Sequence, residues 1–143
     1  MSILNQENII LNQQYSDKTQ AIKATGQILV DKGYVEPAYI EAMLQREELS
    51  STFMGNFVAI PHGTEEAKSA VINSGLSVIQ VPGGVDFGNG NTVKLLIGIA
   101  GKGDEHLDIL SKIAIVLSEE ENVEKLVQAQ SKEEILQLLS EVN

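Results

Sequence analysis

Apolar positions recur along the chain with two different periods, and the changes of period mark its elements. Glu7 to Leu11 (ENIIL) predicts a short strand. From Asp17 to about Lys32, the residues Ala21, Ile22, Thr25, Ile28 and Leu29 fall on one helical face. Asp17 is placed to cap that helix, with Gln20 in the capping-box position. Gly33 is placed to end it. Pro37 opens a second helix, since proline is favoured at the first helical position. Its expected inward residues are Ile40, Met43 and Leu44, and it reaches Arg46 and Glu47 near its end.

Ser50 to Asn56 is polar and predicts a connection, followed by a short apolar strand, Phe57 to Ile60, that Pro61 stops. Thr64 to Val71 predicts a short helix capped by Thr64. Gly75 to Val81 predicts a strand, and Pro82 to Asn91 (PGGVDFGNGN), dense in turn residues, a loop. Thr92 to Ala100 (TVKLLIGIA) is apolar enough for the middle of a sheet. A tight turn at Gly101, Lys102 and Gly103 leads into a helix capped by Asp104 and running to about Ser118, with Leu107, Leu110, Ile113, Ala114 and Leu117 inward. Two amphipathic helices complete the chain, near Glu120 to Ala129 and Lys132 to Leu139. Strands and helices interleave throughout, which predicts an α/β fold with helices covering a sheet.

Composition narrows the chemistry more than the fold. The 143 residues suit one domain with a core of its own. With no cysteine, disulfides, thiolate metal sites and cysteine nucleophiles are excluded. A formal net charge of −10 disfavours nucleic acid and anionic membrane surfaces as partners. The N-terminal MSILNQENIILNQQ has neither a basic n-region nor a long apolar h-region, and no apolar run is long enough to span a bilayer. A cytoplasmic protein without direct membrane insertion is expected.

Two histidines stand in similar settings. His62 follows FVAIP and precedes Gly63; His106 lies in the first turn of the helix after TVKLLIGIA. In open α/β sheets ligands gather where strands end, so parallel strands would bring both imidazoles to one rim. Gly63 would let a bulky anion approach the backbone, and N–H groups beyond it could donate to that anion. A neutral imidazole nitrogen there can attack phosphorus, provided the other nitrogen keeps its proton against an acceptor. A helix N-terminus lowers the pKa of His106 and favours a neutral, donating ring. The same spacings also fit a histidine that merely ends a strand and one that faces solvent. Arg46 can clamp two phosphoryl oxygens, but Glu47 and Glu48 beside it fit an ordinary surface charge cluster, and residues alone do not favour Arg46 over Lys102. Neither a Walker A loop, nor G-x-G-x-x-G, nor H-E-x-x-H is present. A metal site built on the two histidines with Asp104 or Glu105 has no spacing in its favour. No cofactor or metal is expected.

Read together, these segments resemble a known family. STFMGNFVAIPHGTEEAKSAV is similar to the active-site segment of enzyme IIA domains of the sugar phosphotransferase system, mannitol/fructose class. FGNGNTVKLLIGIAGKGDEHLDILSKIAIVLSEEENVEKL resembles that family's second signature, and KGYVEPAYIEAMLQREELSSTFMG also matches. The resemblance runs from about Ile9 to Leu139, and the VKLLIGIAGKGDEHL run fits the mannitol branch best. It implies a single domain, 1–143, with a mixed β-sheet flanked by α-helices on both faces, and a freestanding IIA. It implies that His62 takes a phosphoryl group on Nε2 from the phosphocarrier protein HPr and gives it to a cysteine of the enzyme IIB domain. His106 matches the second active-site histidine of the family, and Arg46 its active-site arginine. The fructose and nitrogen-regulatory branches share the histidine element, so a fructose-specific IIA and a regulatory module signalling through His62 are the alternatives.

Overall fold

A computed structural model describes residues 3–142. The strands are β1 (Ile9–Ile10), β2 (Phe53–Gly55), β3 (Val58–Ala59), β4 (Gly75–Asp86) and β5 (Thr92–Ala100). The helices are α1 (Lys18–Asp31), α2 (Ala38–Leu49), α3 (Glu105–Leu117), α4 (Glu120–Gln128) and α5 (Lys132–Leu138). One five-stranded sheet has the order β1-β4-β5-β3-β2. It is mixed: β1 runs parallel to β4 and β3 parallel to β5, whereas β4 pairs antiparallel with β5, and β2 with β3.

The sheet separates two apolar cores, one per face. Ile79, Leu96 and Ala100 face α1 and α2, where Ile22, Leu29 and Met43 are buried. Val78, Leu95, Ile97 and Ile99 face the other layer, with Ile109 and Ile113 of α3, Leu126 of α4 and Ile135 of α5. The period-2 alternation of β4 and β5 supplies both cores. The α/β class is therefore as the sequence pattern predicts, and the mixed sheet with helices on both faces is as the family resemblance implies.

Asp17 caps α1, accepting from the Gln20 N–H at 2.9 Å, and Gly33 follows the helix at φ +77°. Other expectations need correction. β4 runs through the first half of the predicted 82–91 loop, to Asp86. A register shift between Gln80 and Val85 absorbs Pro82, Gly83 and Gly84, beyond the residues β1 pairs with, so proline's missing N–H costs no ladder bond. β2 lies inside the supposedly irregular 50–56 connection. The 65–70 segment is a 3-10 helix, and neither Thr64 nor Asp104 makes a side-chain cap bond. On α2 the buried residues are Tyr39, Ala42, Met43 and Glu47, with Ile40 and Leu44 half-buried.

The α3 stripe is also rotated from its predicted phase. Ile109, Ile113, Val116 and Leu117 are buried, whereas Leu107 is 69% exposed and Ala114 is exposed. Helical spacing puts His106 at the head of the buried stripe. Among the described residues no helix is long and apolar enough to cross a membrane.

Candidate functional site

Parallel pairing of β3 with β5 decides where the histidines meet. The register Val58–Leu95 and Ala59–Leu96 continues past the strand end as a bridge between His62 and Ile99, with the Ile99 N–H donating to the Pro61 carbonyl at 3.0 Å. His62 is thus held at the rim by backbone pairing. β5 ends one residue before Gly101, and the chain turns at once into α3. A Cβ on Gly101 would lie 2.4 Å from the His106 Cα, so only glycine admits this close turn. Ser74 braces it: its hydroxyl accepts from the Lys102 N–H at 2.9 Å and donates to the Glu105 carboxylate. Packing of α3 then aims His106 at His62. The ring centroids are 5.3 Å apart and the planes are tilted by 53°.

His62 Nδ1 lies 2.8 Å from the Ile60 carbonyl oxygen. A carbonyl only accepts, so Nδ1 carries the proton and the lone pair is on Nε2. Burial pushes the His62 pKa below its ordinary value. The Ile60 bond opposes that shift; the charges of His106 and Arg46 add to it, and Glu47 works against them. His106 is also pushed down, chiefly by burial, with Glu65 opposing and Lys68 reinforcing. The expected direction holds, but loss of water rather than the helix dipole leads. Both rings are half-buried and neutral near pH 7.

Arg46 lies in the last turn of α2, close enough for its charge to be felt at His62. Its Nη1 donates to the Ser50 carbonyl at 2.7 Å and to the Ser50 hydroxyl at 3.2 Å. No described carboxylate lies within ion-pair distance of it. Lys102, its rival in the sequence, is exposed. Glu47 is not the surface charge the sequence suggests. It is buried, and accepts from the Thr52 N–H and hydroxyl at 2.9 and 2.7 Å. It also pairs with Lys18 at 3.5 Å.

The space around the rings is small. A recess of about 30 Å³ beside His106 is bounded by Tyr39, Thr64, Glu65, Lys68 and Gly101. The roomier clefts, of about 320 and 790 Å³, share Lys94 at the far end of β5 and contain neither histidine. Small-molecule sites usually enclose about 300–1,000 Å³. A rim with two half-exposed imidazoles, an arginine and almost no cavity suits a small group delivered on a macromolecule. Among the described residues, no group of three or more His, Asp or Glu side chains could hold a metal.

The sequence reading missed Tyr39 and Glu47. Each occupies one turn of a short helix, and nothing local distinguishes a buried polar tip from an ordinary helical tyrosine or glutamate.

The family model for the phosphoenolpyruvate-dependent sugar phosphotransferase system, EIIA 2, matches residues 2–142. The chain is 64% identical to a mannitol-specific phosphotransferase enzyme IIA component of Geobacillus stearothermophilus, covering 100% of this chain and 99% of that one. It is 61% identical to the protein of the same name from Bacillus subtilis, covering 100% of each. Among solved structures, the complex of enzyme IIA mannitol and phosphorylated enzyme IIB mannitol from Escherichia coli contains a chain that superposes with a TM-score of 0.91 at 40% identity, over 96% of each chain.

Proposed function

The chain belongs to the EIIA 2 family of the phosphoenolpyruvate-dependent sugar phosphotransferase system, and from that premise we propose that it is a cytoplasmic phosphocarrier serving mannitol uptake. His62 accepts a phosphoryl group from phospho-HPr and passes it to the cysteine of a mannitol-specific enzyme IIB domain. The observation that carries this reading is the pair of neutral rings 5.3 Å apart at one rim, the first with its proton anchored on Nδ1.

In the first step the Nε2 lone pair of His62 attacks phosphorus in line. The new P–N bond forms as the donor's breaks, and the bonding pair returns to the donor's imidazole. Arg46 neutralises the equatorial oxygens, and a ring N–H of neutral His106 donates to one of them. In the second step the IIB thiolate attacks the same phosphorus; a P–S bond forms and the electron pair returns to Nε2. Positioning and charge supply the catalysis. Names of relatives at 61–64% identity support mannitol over fructose as the sugar served.

The test is incubation with phosphoenolpyruvate carrying a labelled phosphoryl group, enzyme I and HPr. An acid-labile, base-stable label is expected on the protein and absent from His62→Gln; persistent labelling of that variant would remove His62 from the role. Arg46→Ala and His106→Ala should fold and transfer about 10- to 1,000-fold more slowly. Wild-type rates would exclude them. Phosphorylated protein should discharge faster to a mannitol IIB than to a fructose IIB. The opposite order would reassign the sugar, and no discharge to any IIB would indicate a regulatory module.

A further inference from the structure

Tyr39 hydrogen-bonds both to the segment that follows His62 and to the end of the strand that leads to His106. It is buried on α2, 4% exposed. Its hydroxyl accepts from the Gly63 N–H at 2.9 Å and donates to the Ile99 carbonyl at 3.0 Å. Gly63 follows His62. Ile99 is the residue bridged to His62, two before the Gly101 against which the His106 backbone packs.

The place of that hydroxyl in the ladder matters. In an unbroken parallel pair, the Ile99 N–H bonds to the Pro61 carbonyl and the Gly63 N–H bonds directly to the Ile99 carbonyl. The first of these bonds is made, at 3.0 Å. At the second, the tyrosine oxygen stands between donor and acceptor and relays the bond. The hydroxyl therefore ties the strand extension carrying His62 to the end of β5 at the residue bridged to His62. The ring is fixed as well, because a Cβ on Gly63 would lie 2.5 Å from Tyr39 Cε1. Tyr39 also lines the recess beside His106.

We propose that Tyr39 is a positioning residue for phosphoryl transfer, an inserted rung that sets the separation and tilt of His62 and His106. It touches neither the phosphorus nor the attacking nitrogen; it acts through the two backbone segments. Burial raises its own pKa, so the hydroxyl stays protonated and keeps donating to Ile99 across the working pH range. Misplacement of reacting groups by about 1 Å can cost about a hundredfold in rate, so a small shift at this tie is enough to matter.

The inference about transfer rests on the proposed phosphocarrier reading, but one arm of its test needs no partner. Tyr39→Phe keeps the ring and removes only the oxygen. Imidazole nitrogen NMR should then show the His62 titration midpoint moving up toward its ordinary value and a smaller Nδ1-protonated share. The transfer rate from phospho-HPr should fall about tenfold at saturating donor, with little change in KM. A merely structural tyrosine would lower the melting temperature and leave the His62 titration unmoved; that result, or wild-type transfer with an unmoved titration, overturns the proposal. Should the unmodified protein take no label from phospho-HPr, the phosphocarrier reading fails while the titration arm still decides the positioning. Should Tyr39→Phe fail to fold, Gly63→Ala, which keeps the hydroxyl but pushes on the ring, is read by the same titration. An unchanged midpoint there also overturns it.

Discussion

Burial holds both imidazoles below their ordinary pKa, and this has a signature in stability as well as reactivity. In the unfolded chain each histidine protonates through about 6.5; in the folded chain each resists until lower pH. Across that interval the unfolded state binds more protons, so stability is full above about 6.5, falls as pH drops through it, and levels off below the folded values. Melting temperature should therefore decline between about pH 7 and pH 5, before most carboxylates titrate. His62→Gln should flatten that decline; an unchanged slope would contradict the buried, neutral assignment. At this scale the sequence was informative where chemistry is rare. Two histidines, one just past an apolar strand and one in the first turn of the helix after another, were legible as candidates. Glu47 was not, because its burial follows from Thr52 and Lys18 folding onto it rather than from its neighbours in the chain.

Elements aim the site, and glycines set how closely they approach. Gly98 sits two residues before the end of β5, beneath α1; a Cβ there would fall 2.3 Å from Ser77 Oγ and 2.5 Å from Thr25 Cγ2. Ser77 is itself bonded to the Thr25 carbonyl at 2.9 Å, so neither neighbour can retreat without loss. Gly98→Ala should destabilise by about 1–3 kcal/mol in urea titration. Gly101→Ala presses on the backbone of α3's first turn instead. Its expected effect is larger on transfer, about tenfold or more, than on stability; the reverse order would mean that α3 does not aim His106. Element type and order were readable from periodicity, and β5 was read with its observed ends. The phase of α3 was not. An apolar Leu107 pointing outward satisfies the helical pattern as well as one pointing inward, and only the sheet's position selects the stripe that includes His106.

Across the whole molecule the two cores share β4 and β5 and cannot be lost separately. Urea unfolding should show one transition, coincident by far-UV circular dichroism and by tyrosine fluorescence. The fluorescence reports one layer, since Tyr15, Tyr34 and Tyr39 all pack on the α1–α2 side. Two separated midpoints would show that the faces melt independently. Gln80 joins distant parts of the fold. Its amide donates to the Leu126 and Ala129 carbonyls at 3.0 and 2.9 Å and accepts from the Asn12 N–H at 3.1 Å. Gln80→Leu should therefore cost about 1–3 kcal/mol. Such a residue reads in the sequence as a polar interruption of a strand, because its partners lie 46 to 68 positions away.

The acceptor that holds the His62 proton is a main-chain oxygen two residues upstream, with no formal charge. A carboxylate in its place would draw that proton toward itself and make the ring a stronger base. A more basic ring would grip phosphorus harder and surrender it more slowly. In the proposed phosphocarrier, an uncharged anchor would leave the imidazole a good leaving group, so that the nitrogen that captures the cargo could also be displaced from it.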